Sequence, residues 1–302
     1  MKLGFVGLGK MGSALVGRLL DREHEVVVFD ENLSSVDALV ARGAHEVFSL
    51  ADVVARLDPP RAIWVMVPHR AVEGVVIQLL QLLSSGDVVI DGGNSFYKDS
   101  MRRHALFSEK GIGYMDVGVS GGPKGARDGA CLMIGGDKKY FEACKQIFKD
   151  FSLQEGYQYV GPSGAGHFVK MIHNGIEYGM MQAIGEGFEI MRTADLDLHL
   201  GEIAHLYNRG SVIESRLVGW LADAYKKFGD DLLGEECCIG SIAHSGEGEW
   251  TVQTGKELGV SVPAIKASFD FRVGSQLNPS YNGQVQSALR YMFGGHDAKP
   301  KQ

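Results

Sequence analysis

The first half of the chain alternates short apolar runs with stretches of helical periodicity. The apolar runs predict strands at 3–6, 25–29, 62–67, 88–91, 114–117 and 131–134. The amphipathic stretches between them predict helices at 13–22, 34–42, 72–83, 101–110 and 138–148. Strands that alternate with helices favour parallel pairing, with helices on both faces of the sheet. The predicted fold class is therefore α/β, with a doubly wound parallel sheet in its N-terminal part.

The pattern changes after a glycine-rich stretch at 161–166. The residues that follow are poor in β-branched side chains and predict one long helix over 167–192. Further helices are predicted at 200–208, 215–225, 250–258, 263–272 and 284–293. A chain of 302 residues is long enough for two domains. We therefore expect an α/β domain at 1–162 and an all-helical domain at 163–302.

Composition and charge narrow the functional class. A hydrophobic fraction of 45% with 22% charged residues is typical of a soluble globular protein. The formal net charge of −7 lacks the electrostatic footprint of a nucleic-acid-binding protein. No apolar run reaches the ~18 residues of a membrane span, and no signal-peptide pattern precedes the first strand, so we expect a cytoplasmic protein. No cysteine pair has the C-x-x-C spacing of a metal or redox site.

A glycine motif lies between the first predicted strand and the first predicted helix. Gly7, Gly9 and Gly12 form G-x-G-x-x-G, with Leu8 and Met11 between them. In this context the first glycine permits a tight turn, the second lets the backbone approach a pyrophosphate, and the third lets the helix pack closely on the strand. The phosphates would lie at the helix N-terminus. The motif predicts a Rossmann-type dinucleotide-binding domain.

Asp30 ends the second predicted strand and indicates which dinucleotide is bound. A carboxylate at this position accepts hydrogen bonds from the ribose hydroxyls and repels a 2′-phosphate. The following residues, Glu31–Leu33, include no arginine to receive that phosphate. We therefore predict NAD as the cofactor, with NADP a weaker alternative. Val67, the last residue of a predicted strand, and Asn94, which follows another, complete the predicted cofactor contacts.

A polar stripe runs along the long predicted helix. Lys170, His173, Asn174 and Glu177 are spaced i, i+3, i+4 and i+7, which places them on one helical face. Such a stripe usually carries leucines that face a core. One interpretation is a solvated polar face with a Lys–Glu pair. The other is a catalytic face with a base, an acid and two hydrogen-bonding groups.

Two further segments follow predicted strands. Asp91-Gly-Gly-Asn-Ser95 would place Asn94 where it can contact both cofactor and substrate. The segment 118–123 offers the Ser120 hydroxyl and the backbone N–H groups of Gly121 and Gly122, a plausible seat for a carboxylate. Each segment alone fits a simple reverse turn equally well.

Together these segments resemble a known enzyme family. They are GLGKMG (7–12), DGGNS (91–95), GVSGGPKGA (118–126) and GAGHFVKMIHNGIEYGMMQ (164–182). They resemble the β-hydroxyacid dehydrogenases and, within them, the 6-phosphogluconate dehydrogenases, and the resemblance covers almost the whole chain. HNGIEY distinguishes these enzymes from the relatives that resemble hydroxyisobutyrate dehydrogenase.

The resemblance implies oxidative decarboxylation of 6-phospho-D-gluconate to D-ribulose 5-phosphate and CO2, with reduction of NAD. It implies that Lys170 is the general base at the C3 hydroxyl, which requires a lowered lysine pKa. Glu177 would protonate C1 of the enediol, and no metal is required. Asn174 and His173 would orient the sugar. Ser120, Gly121 and Gly122 would hold the carboxylate.

The resemblance also implies a phosphate site and an oligomer. Tyr178 and Arg272 match phosphate-binding positions, and Arg290 and His296 match a C-terminal motif that reaches a neighbouring subunit's active site. A homodimer would then be the minimal functional unit, and a homotetramer is expected for a chain this short. The segment 245–251 departs from the family, because it is shorter and carries glutamates where lysines are common.

Two alternatives remain at this point. A dehydrogenase of a non-phosphorylated 3-hydroxy acid, similar to 3-hydroxyisobutyrate dehydrogenase, is favoured by the missing loop lysine. A non-catalytic NAD-sensing protein would keep the fold, but it has no need of the Lys170–Glu177 stripe.

Overall fold

The computed structural model describes residues 1–232, 238–242 and 246–295. Its strands are β1 (Lys2–Val6), β2 (Glu25–Phe29), β3 (His45–Glu46), β4 (Ala62–Val65), β5 (Val88–Asp91), β6 (Gly113–Ser120), β7 (Ala130–Gly135) and β8 (Ser152–Gly161). Its helices are α1 (Lys10–Leu20), α2 (Leu33–Val40), α3 (Leu50–Ala55), α4 (His69–Leu82), α5 (Tyr97–Ser108), α6 (Gly122–Asp128), α7 (Lys138–Phe151), α8 (Ala165–Thr193), α9 (Leu200–Tyr207), α10 (Arg216–Phe228), α11 (Glu247–Glu257), α12 (Pro263–Ser275) and α13 (Tyr281–Gly294). The chain divides into two compact units, and the division falls between Met171 and Ile172 inside α8.

The first unit contains one sheet in the order β3-β2-β1-β4-β5-β6-β7-β8. The strand order reverses between β1 and β4, where the carboxyl ends of parallel strands form the usual ligand crevice of such sheets. Successive residues of a strand point to opposite faces of the sheet, and each face packs into its own apolar cluster. Trp64 and Ile90 lie in one cluster, and Ile63 and Val89 lie in the other. Both faces are buried, which explains why the strands are continuously apolar. The predicted α/β class with a doubly wound sheet is confirmed.

One strand pair departs from the predicted parallel sheet. Among the described strands, β6 and β7 pair antiparallel, and the other pairs are parallel. The connection between Ser120 and Ala130 is too short for a parallel crossover, which needs a dozen or more residues. The chain therefore turns back directly through α6.

The hydrophobic pattern also missed several elements. β3 has two residues and α3 has six, too few for a periodic signal. α6 contains Gly122, Pro123 and Gly125, which read as a turn, although proline is well tolerated in a first helical turn. β8 was missed because many of its side chains are polar and exposed at the sheet edge.

Helices are the regular secondary structure found in the described residues of the second unit, and turns and loops connect them. Its apolar core is formed by the later part of α8 with α9, α10 and α13, and includes Phe188, Leu221, Tyr225, Val285 and Leu289. The helical C-terminal domain is thus confirmed as a fold. No helix in the described ranges is long and apolar enough to span a bilayer.

Candidate active site

The turn after β1 requires two of its three motif glycines. Gly7 has φ of +96°, and a Cβ there would lie 2.5 Å from the carbonyl oxygen of Met66. A Cβ on Gly12 would lie 2.0 Å from the carbonyl oxygen of Gly7. Side chains cannot occupy either position without moving the backbone. These glycines therefore let β1, β4 and α1 approach one another, as the motif predicts.

Gly9 is different, because packing does not require it. It is the N-cap of α1, it is exposed, and a Cβ there would meet no atom of the described chain within 4 Å. The free N–H groups of the first helical turn favour a phosphate at such a position. The open space beside Gly9 fits close approach of a dinucleotide pyrophosphate.

Replacing Gly9 with alanine should separate cofactor binding from folding. We expect the NAD dissociation constant to rise by about tenfold or more, roughly 1.4 kcal/mol, because the new methyl group would occupy the pyrophosphate's position. The melting temperature should stay near that of the wild type. Gly74→Ala in α4 is a matched control, because its Cβ also meets nothing within 4 Å of the described chain. Unchanged NAD binding in Gly9→Ala would contradict the assignment.

Asp30 is fixed at the same edge of the sheet. Its Oδ2 accepts a hydrogen bond from the N–H of Leu8, and its Oδ1 accepts one from the N–H of Asn32 at 2.7 Å. A carboxylate has about four acceptor positions, so both oxygens keep capacity for ribose hydroxyls. Glu31 and Leu33 beside it are exposed. The position of Asp30 fits the predicted ribose contact.

The other predicted cofactor residues differ in what they expose. The Leu8 side chain is buried in the apolar core, so only its backbone is available to a ligand. Met11 is partly buried against the same core. Val67 lies beside Gly7 and Gly93. Its Cγ1 would be 2.8 Å from a Cβ on Gly7, and its carbonyl oxygen would be 3.1 Å from a Cβ on Gly93.

A buried carboxylate holds the turn that carries Asn94. Asp91 accepts hydrogen bonds from the Gly93 N–H at 3.1 Å, the Ser95 hydroxyl at 2.8 Å and the Tyr114 hydroxyl at 2.8 Å. Burial raises the pKa of Tyr114 well above its usual value, so the phenol remains a donor. Asn94 is exposed at the tip of this turn. The turn is therefore rigid at its base and open at Asn94.

Asp116 anchors the start of α8, and sequence reasoning missed it. The carboxylate is fully buried, and it accepts hydrogen bonds from the N–H of Gly164 at 2.8 Å and of His167 at 2.9 Å. A carboxylate at this end also complements the helix dipole. Ser100 holds the His167 ring through Nδ1 at 2.7 Å. No motif spacing connects Asp116 with a helix that begins 49 residues later.

Three glycines bring α8 into contact with the sheet. A Cβ on Gly166 would lie 2.1 Å from the carbonyl oxygen of Asp116, and one on Gly135 would lie 2.5 Å from the N of Gly166. A Cβ on Gly118 would lie 2.3 Å from the Cβ of Lys170. Gly118 therefore packs against Lys170, a residue that is only 9% exposed.

Strand β6 ends at the predicted carboxylate seat. Asp116, Gly118 and Ser120 alternate along it, so they share one face of the strand. Ser120 is partly buried. Gly121 and Gly122 follow with φ of +126° and +64°, which only glycine adopts easily in succession. The anchor of α8, the contact with Lys170 and the first residue of the predicted carboxylate seat thus lie on one strand.

The later residues of the α8 stripe lie in the second unit. His173 Nδ1 is 3.0 Å from Asn174 Oδ1 and 3.8 Å from Glu177 Oε2. Asn174, like Lys170, is only 9% exposed. Lys170 and Asn174 therefore do not belong to a solvated polar face. The stripe therefore carries buried polar groups, which favours the catalytic interpretation.

Tyr178 and Arg272 form a buried stacked pair in the same unit. The Arg272 guanidinium carbon lies 3.4 Å from the centre of the Tyr178 ring. Burial lowers the pKa of Arg272 to about 10 and raises the pKa of Tyr178. Within the described ranges, Arg272 Nη2 donates a hydrogen bond to the sulfur of Met181 at 3.4 Å, and Nε is left without a hydrogen-bond partner. A buried guanidinium with so few acceptors is a candidate anion site.

Arg290 adds a second positive charge near this pair. It is partly buried on α13, and burial lowers its pKa, an effect that the proximity of Tyr178, Glu247 and Glu177 of the same chain opposes. The predicted phosphate residues Tyr178, Arg272 and Arg290 are therefore grouped within one chain. His296, predicted to act with Arg290, lies outside the described residues.

Comparisons with known proteins identify both parts of the chain. A model of the NAD-binding domain of 6-phosphogluconate dehydrogenase matches residues 2–161, and one of the C-terminal domain of 6-phosphogluconate dehydrogenase matches residues 166–299. A Bacillus subtilis protein whose name assigns it provisionally to the same enzymes is 46% identical over 302 residues, all of both chains. A Haloferax volcanii protein named NAD(+)-dependent, decarboxylating 6-phosphogluconate dehydrogenase is 40% identical over 303 residues, 100% of this chain and 99% of that protein.

A solved structure gives the same result. Plasmodium falciparum 6-phosphogluconate dehydrogenase, whose structures include complexes with NADP+ and with 6-phosphogluconate, matches with a TM-score of 0.82 and 28% identity. The match covers 97% of this chain and 70% of the Plasmodium chain.

Proposed function

Because the chain belongs to the 6-phosphogluconate dehydrogenase family, we propose that it oxidises and decarboxylates 6-phospho-D-gluconate with NAD, as the Haloferax relative's name states for that protein. The family makes the chain an oxidoreductase with an NAD(P)-binding domain. The proposal adds the substrate, the loss of CO2 and the preference for NAD. The products would be D-ribulose 5-phosphate, CO2 and NADH.

The observation that carries the proposal is the placement of Lys170. Lys170 is buried, its Cβ and Cγ pack against Gly118, and it lies at the start of a helix anchored by Asp116, so the base of its side chain has little conformational freedom. Positioning of this kind is what a general base needs. We propose that Lys170 takes the proton of the C3 hydroxyl as hydride leaves C3. NAD, when bound, accepts that hydride.

The second half of the reaction needs an acid. Oxidation at C3 gives a β-keto acid, which loses CO2 readily when its carbonyl oxygen is polarised. The protonated Lys170 would donate a hydrogen bond to that oxygen. Glu177 would then supply a proton to C1 of the enediol. His173 lies beside both Asn174 and Glu177, so it would orient the substrate and the acid together.

The two ends of the substrate would be held by different groups. Ser120, Gly121 and Gly122 would bind the C1 carboxylate through a hydroxyl and backbone N–H groups. Tyr178, Arg272 and Arg290 would bind the 6-phosphate, because two guanidinium groups are suited to a dianion. The incomplete hydrogen bonding of the buried Arg272 supports an anionic ligand there.

Two further features belong to the proposal. Asp30 would favour NAD, because its carboxylate repels a 2′-phosphate and residues 31–33 offer no arginine. We also propose a homodimer or homotetramer in which the C-terminal tail, with His296, completes a neighbouring active site.

Measuring NADH and CO2 in the same assay tests the proposed reaction. The purified protein should form NADH and CO2 in equal amounts from 6-phosphogluconate, and kcat/KM should be higher with NAD than with NADP. Gluconate is the control for the phosphate, and a substrate labelled at C1 identifies the carbon that is lost. NADH without CO2 would contradict decarboxylation. Equal turnover of gluconate would favour a dehydrogenase of non-phosphorylated hydroxy acids, and no turnover would contradict catalysis.

A further inference from the structure

Glu247 is a buried carboxylate beside the proposed phosphate site. It is the first residue of α11 and is 3% exposed. The next residue, Gly248, lies so close to Tyr178 that a Cβ there would be 2.6 Å from Cε2 of the ring. One turn later, a Cβ on Gly175 of α8 would meet Cγ2 of Thr251 at 2.7 Å. Two glycines thus let the start of α11 pack directly on the part of α8 that carries Tyr178.

Two carboxylates, Glu247 and Glu177, accompany the two guanidinium groups that surround Tyr178. Burial lowers the pKa of Arg272 and of Arg290, and Glu247 and Glu177 oppose that effect on both arginines. Both carboxylates therefore act on the same two guanidinium groups. A phosphate bound by Arg272 and Arg290 would meet the negative charge of Glu247 as well as their positive charge.

We propose that Glu247 is a specificity-determining residue, which weakens the binding of a phosphorylated sugar acid relative to its non-phosphorylated counterpart. This inference rests on the proposed function, because it concerns the distal end of the same substrate. The carboxylate acts against a dianion at Arg272 and Arg290, and it has little effect on an uncharged hydroxymethyl end. It would also keep the two arginines neutralised when no phosphate is bound.

Charge removal at position 247 tests the inference. Dissociation constants for 6-phosphogluconate and gluconate would be measured by titration calorimetry for the wild type, Glu247→Gln and Glu257→Gln. We expect Glu247→Gln to tighten 6-phosphogluconate binding on the order of tenfold relative to gluconate. Glu257 is exposed at the far end of α11, outside the segment 245–251, so Glu257→Gln should leave the ratio unchanged. A ratio that is unchanged or lower in Glu247→Gln would overturn the inference.

Two further variants test whether Glu247 affects binding only by supporting the fold. Glu247→Asp keeps the charge and should retain the wild-type ratio, whereas Glu247→Ala removes it and should behave like Glu247→Gln. If Glu247 only supported the fold, both ligands would lose affinity in step with the melting temperature. Because the measurement is of binding, a protein that binds but does not oxidise 6-phosphogluconate would contradict the proposed function and leave this inference intact.

Discussion

Replacing Lys170 with methionine should lower kcat by about 10²–10⁴-fold while the NAD dissociation constant stays near its wild-type value. Methionine keeps the length and the apolar stem of lysine, so it can occupy the same space against Gly118. It has no group that can take a proton from the C3 hydroxyl or polarise the keto intermediate. Single-turnover NADH formation would measure the chemical step, and titration calorimetry with NAD would measure cofactor binding.

The matched control is Lys124→Met. Lys124 is exposed on α6 and forms an ion pair with Asp128 one turn along the same helix, so the kcat of Lys124→Met should match that of the wild type. Unaltered turnover in Lys170→Met would refute the general-base assignment. Loss of NAD binding together with turnover would indicate that Lys170 supports the fold rather than the chemistry.

Replacing Gly118 with alanine should lower kcat by about 10²-fold through a displacement of Lys170. The new Cβ would lie 2.3 Å from the Cβ and 2.9 Å from the Cγ of Lys170, the parts of the side chain nearest the backbone, which cannot swing away. The start of α8 must therefore move. Overpacking of this kind costs about 1–3 kcal/mol, which a melting curve would detect. Steady-state kinetics and NAD titration would show whether kcat falls while cofactor affinity is kept.

Gly187→Ala is the control for this change. It places the same methyl group on α8, where no atom of the described chain lies within 4 Å. We expect no loss of turnover, since alanine is favourable inside a helix. Full activity in Gly118→Ala would show that the contact between β6 and Lys170 does not set the position of the amine.

The sequence predicted those features that depend on local pattern. Alternating strands and helices predicted the sheet, and the motif around Gly7 predicted the cofactor turn after β1. The resemblance that rested on GAGHFVKMIHNGIEYGMMQ is confirmed by the family models that match both parts of the chain. The antiparallel β6–β7 pair was missed because loop length, rather than hydrophobic pattern, determines it.

The sequence predicted only part of the candidate site, and the reason is different. The spacing of Lys170, Asn174 and Glu177 is visible on a helix, because their separation in sequence is also their separation in space. The contacts of Asp116 with the start of α8 and of Gly118 with Lys170 join residues about 50 positions apart. Nothing in the local sequence distinguishes Asp116 from any other polar residue in a strand. Contacts of this kind become visible only when the chain is folded.

The alternation along β6 limits how this enzyme can be redesigned. Adding or deleting one residue between Asp116 and Ser120 would turn the following side chains to the opposite face of the sheet. Adding two would restore the face but shift the strand end by roughly 6.6–6.8 Å. Either change would uncouple the amine from the end of the strand. Attempts to accommodate longer or shorter sugar acids should therefore keep this stretch at its present length and vary the loops and helices that follow it.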